Sequence, residues 1–357
     1  MDKVLINKYY KQLKHNKFIN SNVFLDDILK KVEKNSRNIY NITYNNSKLN
    51  IDELDQPEYI TSNFISKAIT TYIYNNIKYK YNITATYKLL EINLNYYSVT
   101  NTLKMDYFDI ILKHIILFYN IFGADITKLD ISIYDTPFKK HIEGIDTITP
   151  SQINSGYSIP YSKQIVIFRK EELMKVLIHE LLHVFQFEIR EKSGACGMFC
   201  DLYSIKTEPF LVNEAIVELY AIIYNSIILS INMYKRVDKT KILEMLNLEL
   251  DFNLYQTAKI LNFSKFNNIE EFLCKCTNKN IMETGTNIIS YIIIKTLILF
   301  NINKLHNYNV LDNRKLIEQL VARFFKDIKY QNIIDYYMKH IQQHGLIDYN
   351  MRMCLFS

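Results

Sequence analysis

The chain has no tryptophan, and it holds 7 glycines and 5 prolines in 357 residues. Its abundant residues are Asn, Ile, Lys and Tyr, whose codons are AT-rich, so the bias reports the genome more than the fold. Clusters of Tyr or Asn therefore arise by chance here, which weakens arguments from them. There is no basic block, and the formal charge of +6 is mild for the length. That excludes the footprint of a nucleic-acid-binding arm. The start, "MDKVLINKYYKQLKHNKFIN", has charges every few residues and no apolar h-region, so no secretory signal is read there. No membrane span is read either. The best candidate, Tyr291 to Phe300, holds 10 residues and includes Lys295, well short of the roughly 20 that a spanning helix needs. It reads as a core helix.

Cysteines are few and odd in number: Cys196, Cys200, Cys274, Cys276 and Cys354. Neither "CGMFC" nor "CKC" has the spacing of a zinc ribbon or finger. The five read as free thiols in a reducing compartment.

What is present is a globular composition, 48% apolar. Residues 1–123 read as a mainly helical N-terminal region, in which Asn45 to Asn63 is a polar connection. Met105 to Gly123 is an apolar helix stopped by its glycine. His114 on that helix reads as a packed or surface histidine. Residues 124–235 change pattern. Leu129 to Asp135, Ser151 to Ile159 and Lys163 to Arg169 read as strands, the last two forming a hairpin. Gly156 marks a bulge or a close backbone approach. Lys170 to Lys192 and Phe210 to Leu229 read as helices, the first opening on two acids. Residues 236–357 are helical in pattern, and "HIQQH" there, His340 to His344, reads as a solvated helix face.

The helix after the third strand contains "HELLH". Histidines four apart lie on one helix face, so His179 and His183 present two imidazoles side by side. Two nitrogens placed that way suit one Zn2+ at about 2.0–2.1 Å. Glu180, about 100° round the helix, projects beside such an ion and can hold and deprotonate its water. The next helix carries "VNEAIVELY". Glu214 and Glu218 are again four apart in an apolar stretch, where a nearby cation best explains them. Glu214 is the third metal ligand in this reading, and Glu218 a carboxylate that holds the far nitrogen of a ligand histidine, His179.

"HELLH" followed by "NEAIVE" resembles the gluzincin class of zinc metallopeptidases, the thermolysin-like group. The resemblance covers about Leu129 to Tyr224. Thirty residues lie between His183 and Glu214, so the intervening loop departs from the family pattern. The glycine-rich exopeptidase signature is absent, and Gln186 and Ile189 exclude the metzincin pattern. The resemblance implies an α+β fold: a zincin-like core whose small mixed sheet packs on the active-site helix, with mainly helical flanking regions. It implies a zinc-dependent endopeptidase with Glu180 as general base and a protein or peptide substrate. It implies an edge strand that pairs with substrate, with Asn154, Ser155, Gly156 and Tyr157 at that rim, or else an ordinary edge. Tyr203 is the candidate oxyanion donor, with Tyr291, His306 and Tyr308 also available. The AT-rich bias resembles that of proteins from large DNA viruses or AT-rich protists, and the expected location is the cytoplasm or a virion. Two rivals stand beside the peptidase: a catalytically silent zincin-fold binding protein, and a helical interaction protein whose HExxH is accidental.

Overall fold

The computed structural model describes residues 3–14, 16–36, 44–50, 64–102, 105–122, 125–159, 161–185, 212–274, 279–283, 285–305 and 314–356. The chain forms two compact units. One comprises Ile28–Lys140 and Asn154–Phe187, the other Met1–Asp27, His141–Ile153 and Glu188–Ser357. Helices α1 (Lys3–Tyr10) and α2 (Val23–Ser36) open the described chain.

Among the described residues, the first unit holds one six-stranded mixed sheet. Its elements in chain order are β1 (Tyr44–Asn50), α3 (Lys67–Asn76), β2 (Tyr79–Tyr87), β3 (Leu90–Ser98), α4 (Met105–Phe122) and β4 (Lys128–Tyr134). A single helical turn, α5 (Pro150–Ile153), belongs to the other unit and precedes β5 (Gly156–Ile159), β6 (Gln164–Ile167) and α6 (Leu173–Val184). The sheet order is β1-β2-β3-β4-β6-β5. β3, β4 and β6 run parallel, β1 and β2 continue antiparallel from β3, and β5 closes the far edge antiparallel to β6.

The N-terminal region, expected to be mainly helical, carries four helices but also three strands that the expectation lacked, and β1 falls on the start of the expected polar connection. The physical cause is plain in β2 and β3. Tyr81, Ile83 and Ala85 are buried and alternate with Lys80, Asn82 and Thr84, and Leu90, Ile92 and Leu94 alternate likewise with Glu91, Asn93 and Asn95. That is period-2 patterning with one face inward. The expected strands at 129–135 and 163–169 appear as β4 and β6, and β5 with β6 forms the expected hairpin. Helix α6 packs on β5 and β6, and α4 packs on α6. On the other face Ile69 and Ile73 of α3 cluster with Tyr97, Tyr134, Tyr157, Val166 and Phe168.

His114 is packed in α4, its Nδ1 against the Ile110 carbonyl. Burial drives its pKa from the ordinary 6.5 down to about 4, against the smaller upward pull of that carbonyl. Between those values the unfolded chain takes up a proton that the folded chain refuses, so stability is lost as pH falls from 6.5 toward 4. The loss amounts to about 3 kcal/mol. His114→Leu is expected to flatten this acid limb when urea midpoints are measured between pH 4 and 7.

The second unit is helical where described: α7 (Val212–Tyr234), α8 (Lys239–Phe263), α9 (Ile269–Leu273), a π-helical segment (Ile289–Ile294), α10 (Lys295–Phe300), α11 (Arg314–Phe324) and α12 (Ile328–His344). α7, α8 and α10 pack on one another. The N-terminal segment is clipped to α8 by Asn16, whose N–H reaches Asp251 at 2.7 Å, and by Asn247, which both donates to and accepts from the Ile19 backbone. α7 is long and apolar enough to cross a membrane by length and composition, and 83% of its apolar window is buried in the fold. Burial accounts for its apolarity. His340 and His344 stand on α12 with ring centroids 4.9 Å apart, His344 exposed and His340 half-buried. Cys354 is a buried free thiol. Cys274 is disulfide-bonded, its partner lying outside the described residues, which corrects the expectation of five free thiols and removes their support for a reducing compartment.

Scarce glycine leaves a mark on the turns. Among the described residues, Lys88, Lys163, Lys235, Lys265 and Glu172 hold left-handed backbone. Lys265 follows α8 in a Schellman cap: the Phe266 N–H reaches the Leu261 carbonyl at 3.0 Å, and the Lys265 N–H reaches Asn262 at 2.9 Å. A side chain there is strained where glycine is not. Lys265→Gly is expected to stabilise the fold by about 0.5–1 kcal/mol, read as a higher urea midpoint.

Candidate metal centre

The approach to α6 is built from β6 outward. After the apolar run Ile165, Val166, Ile167, the Phe168 N–H donates to the Ser155 carbonyl at 2.9 Å and the Thr136 hydroxyl donates to the Phe168 carbonyl. Arg169 is buried, and its guanidinium donates to the Asn154 carbonyl at 2.9 Å and the Lys139 carbonyl at 2.7 Å. Burial lowers its pKa to about 10, opposed by Glu171 and Glu172. Glu171 accepts from the Lys140 N–H, and Glu172 forms a fully buried ion pair with Lys140 at 2.8 Å. The acids read as a helix start lie just outside it: α6 begins at Leu173, and Glu172 stands before it with φ 60°. Charges packed this closely fix the entry to α6. Sequence reasoning missed Arg169, Lys140 and Thr136, because partners about thirty residues apart leave no periodic signal.

α6 is buried on nearly every side, from Leu173 to Val184 with Met174 the exception. His179, Glu180 and His183 are 7%, 5% and 8% exposed. The two imidazoles meet Nε2 to Nε2 at 3.0 Å, ring centroids 4.7 Å apart and planes at 70°. Helical spacing delivers this directly, as the residues are one turn apart. Two nitrogens on a tetrahedral ion at 2.0–2.1 Å stand about 3.3 Å apart, so the pair is already near a chelating arrangement.

Glu214 lies in the first turn of α7, where a carboxylate also suits the helix dipole. Glu218 is one turn on and buried. His179, His183 and Glu214 each offer one ligand atom, and these atoms all lie within 4.8 Å of one another. Among the described residues this is the one group of three or more His, Cys, Asp or Glu side chains that could hold a metal ion. Two imidazoles and a carboxylate form a donor set that fits zinc with a coordination position left open.

The other candidates fare unevenly. Tyr203, His306, Tyr308, Gln186 and Ile189 lie outside the described residues. Tyr291 is half-buried in the π-helical segment. The expected strand at 151–159 is shorter, since Pro150–Ile153 is helical and β5 starts at Gly156. Asn154 and Ser155 thus precede the edge strand, and their carbonyls are engaged by Arg169 and Phe168. Tyr157 is buried against the α3 cluster. Among the described residues β5 forms the sheet edge. No protein-family model matches this chain, and no curated protein matches it.

Gly156 marks a close approach and no bulge. A Cβ there would meet the Val166 carbonyl oxygen at 2.9 Å and Val176 Cγ1 of α6 at 3.0 Å. The glycine lets the edge strand lie against the histidine-bearing helix. Gly156→Ala is expected to destabilise the fold by about 1–3 kcal/mol, read as a lower melting temperature.

Proposed function

We propose that this protein is a zinc-dependent peptidase of gluzincin type that cleaves within a protein or peptide substrate. The observation that carries the proposal is the convergence of His179, His183 and Glu214 within 4.8 Å. Those three residues would hold the ion, and a bound zinc ion supplies Lewis acidity for the scissile carbonyl and lowers the pKa of a water toward 7. Glu180, adjacent to His179 on a helix that excludes bulk water, takes a proton from the attacking water and returns it to the leaving amine. Low exposure strengthens that carboxylate's hydrogen bonds to its substrates in the reaction. Glu218, one turn from Glu214, orients a ligand side chain through its outer nitrogen.

The backbone edge of β5 supports the same reading. An extended substrate can add to a sheet edge through main-chain hydrogen bonds, which tolerate many side chains and hold the scissile bond straight. The Asn154 and Ser155 carbonyls are spent on internal contacts, so the receptive edge is Gly156–Ile159.

Metal analysis of the purified chain is expected to give one zinc per chain. Glu180→Gln is expected to keep the metal and lose peptide-library cleavage by at least about 100-fold, the usual scale for a lost general base. Glu214→Ala is expected to lose both. Full zinc content in Glu214→Ala would move the third ligand elsewhere. A zinc-loaded wild type without turnover would leave a binding protein.

A further inference from the structure

The segment Met351–Phe356 runs among α7, α8 and α10 with every side chain buried. It is held by its main chain. The Glu249 carboxylate of α8 accepts the N–H groups of Leu355 and Phe356 at 2.8–3.0 Å. Lys295 of α10 donates to the Met353 carbonyl at 2.9 Å, and Gln256 of α8 donates to the Arg352 carbonyl at 2.8 Å. Asn225, in the middle of α7, donates its amide to the Phe356 carbonyl at 2.7 Å. Glu249, Lys295 and Gln256 are fully buried, and Asn225 nearly so.

A helix buried in apolar contacts has several rotations and shifts of similar packing energy. A buried polar residue with one partner selects among them, as a core asparagine selects register in a coiled coil. Around Asn225 the α7 surface is mostly apolar: Ile222, Ile223, Ile227 and Ile228 are all buried, with the small hydroxyl of Ser226 beside them. Glu214 sits eleven residues earlier on the same rigid element, about 16 Å along its axis.

We propose that Met351–Phe356 is a latch that sets the register of α7, and that Asn225 and Glu249 are positioning residues for Glu214. The proposal rests on the metal reading of Glu214. Release of the segment would strip Glu249 of two charge-assisted hydrogen bonds inside the core, so latch and helix open together.

The test uses the full chain with Asn225→Leu and Glu249→Gln. Amide exchange is followed at Leu355, Phe356 and along α7, and the zinc dissociation constant is measured by chelator competition. Asn225→Leu is expected to keep its far-ultraviolet circular dichroism, to speed exchange at both amides, and to weaken zinc about tenfold. Glu249→Gln retains an acceptor and is expected to fall between it and wild type, and it carries the test if Asn225→Leu does not fold. Freed amides with wild-type zinc affinity would overturn the proposal, as would unchanged amide protection. A wild type that binds no zinc would instead sink the metal reading, and the latch would then stand or fall on whether exchange quickens along α7.

Discussion

Two imidazole nitrogens held 3.0 Å apart on a helix with almost no solvent face are the constraint on which the rest turns. Apolar surroundings penalise polar groups that lack partners, and a carboxylate between the two histidines compounds the demand. The fold meets it by locking the helix at its start. Arg169, just past β6, ties the approach to the edge strand at Asn154 to the segment after β4 at Lys139, and the Lys140–Glu172 pair is sealed from solvent. Such a pair contributes little net stability, but breaking it leaves a bare charge inside, which enforces one geometry. Rigid presentation of donors is what a metal centre needs, since chelation tolerates little slack.

The helical unit uses the same device in another form. Its interior holds Glu249, Lys259 and Lys295, each fully buried. Lys259 donates to the Asn350 carbonyl at 2.8 Å and pairs with Asp348 at 3.3 Å. Burial nevertheless lowers its pKa to about 8, with Asp348 opposing. The unfolded chain binds that proton up to the ordinary lysine value, so this group favours folding more as pH rises above 8. These charges act on specificity, because each addresses main-chain atoms that apolar packing alone would leave interchangeable.

Much of this was legible in residue order, and the rest was hidden for definite reasons. β4, β6, α4 and α6 stood out because apolar residues dominate them at the right period. β2 and β3 carry equally regular alternation, but many of its positions are Tyr and Asn, types common throughout this chain, which blurs the signal. HExxH declared its own geometry, since four residues of helix make one turn. Glu214 was legible as an acid in an apolar helix. The Lys140–Glu172 pair was not, because nothing local links residues so far apart. Nor was the buried segment 351–356, whose mixed Met, Arg and Cys follow neither strand nor helix period. Left-handed lysines hid for a simpler reason: glycine announces such turns and lysine does not.

The helical unit is assembled from pieces distant in the chain, and this dictates when it can form. Asn16 bonds Asp251, and Tyr9 bonds Asp348 at 2.8 Å. Residues 1–27 therefore complete these contacts only once partners more than two hundred positions further along the chain are present. Contacts of such long sequence separation make folding slow and leave early segments open to misassociation. During synthesis these early segments would stay open to added protease until residues 251 and 348 had emerged.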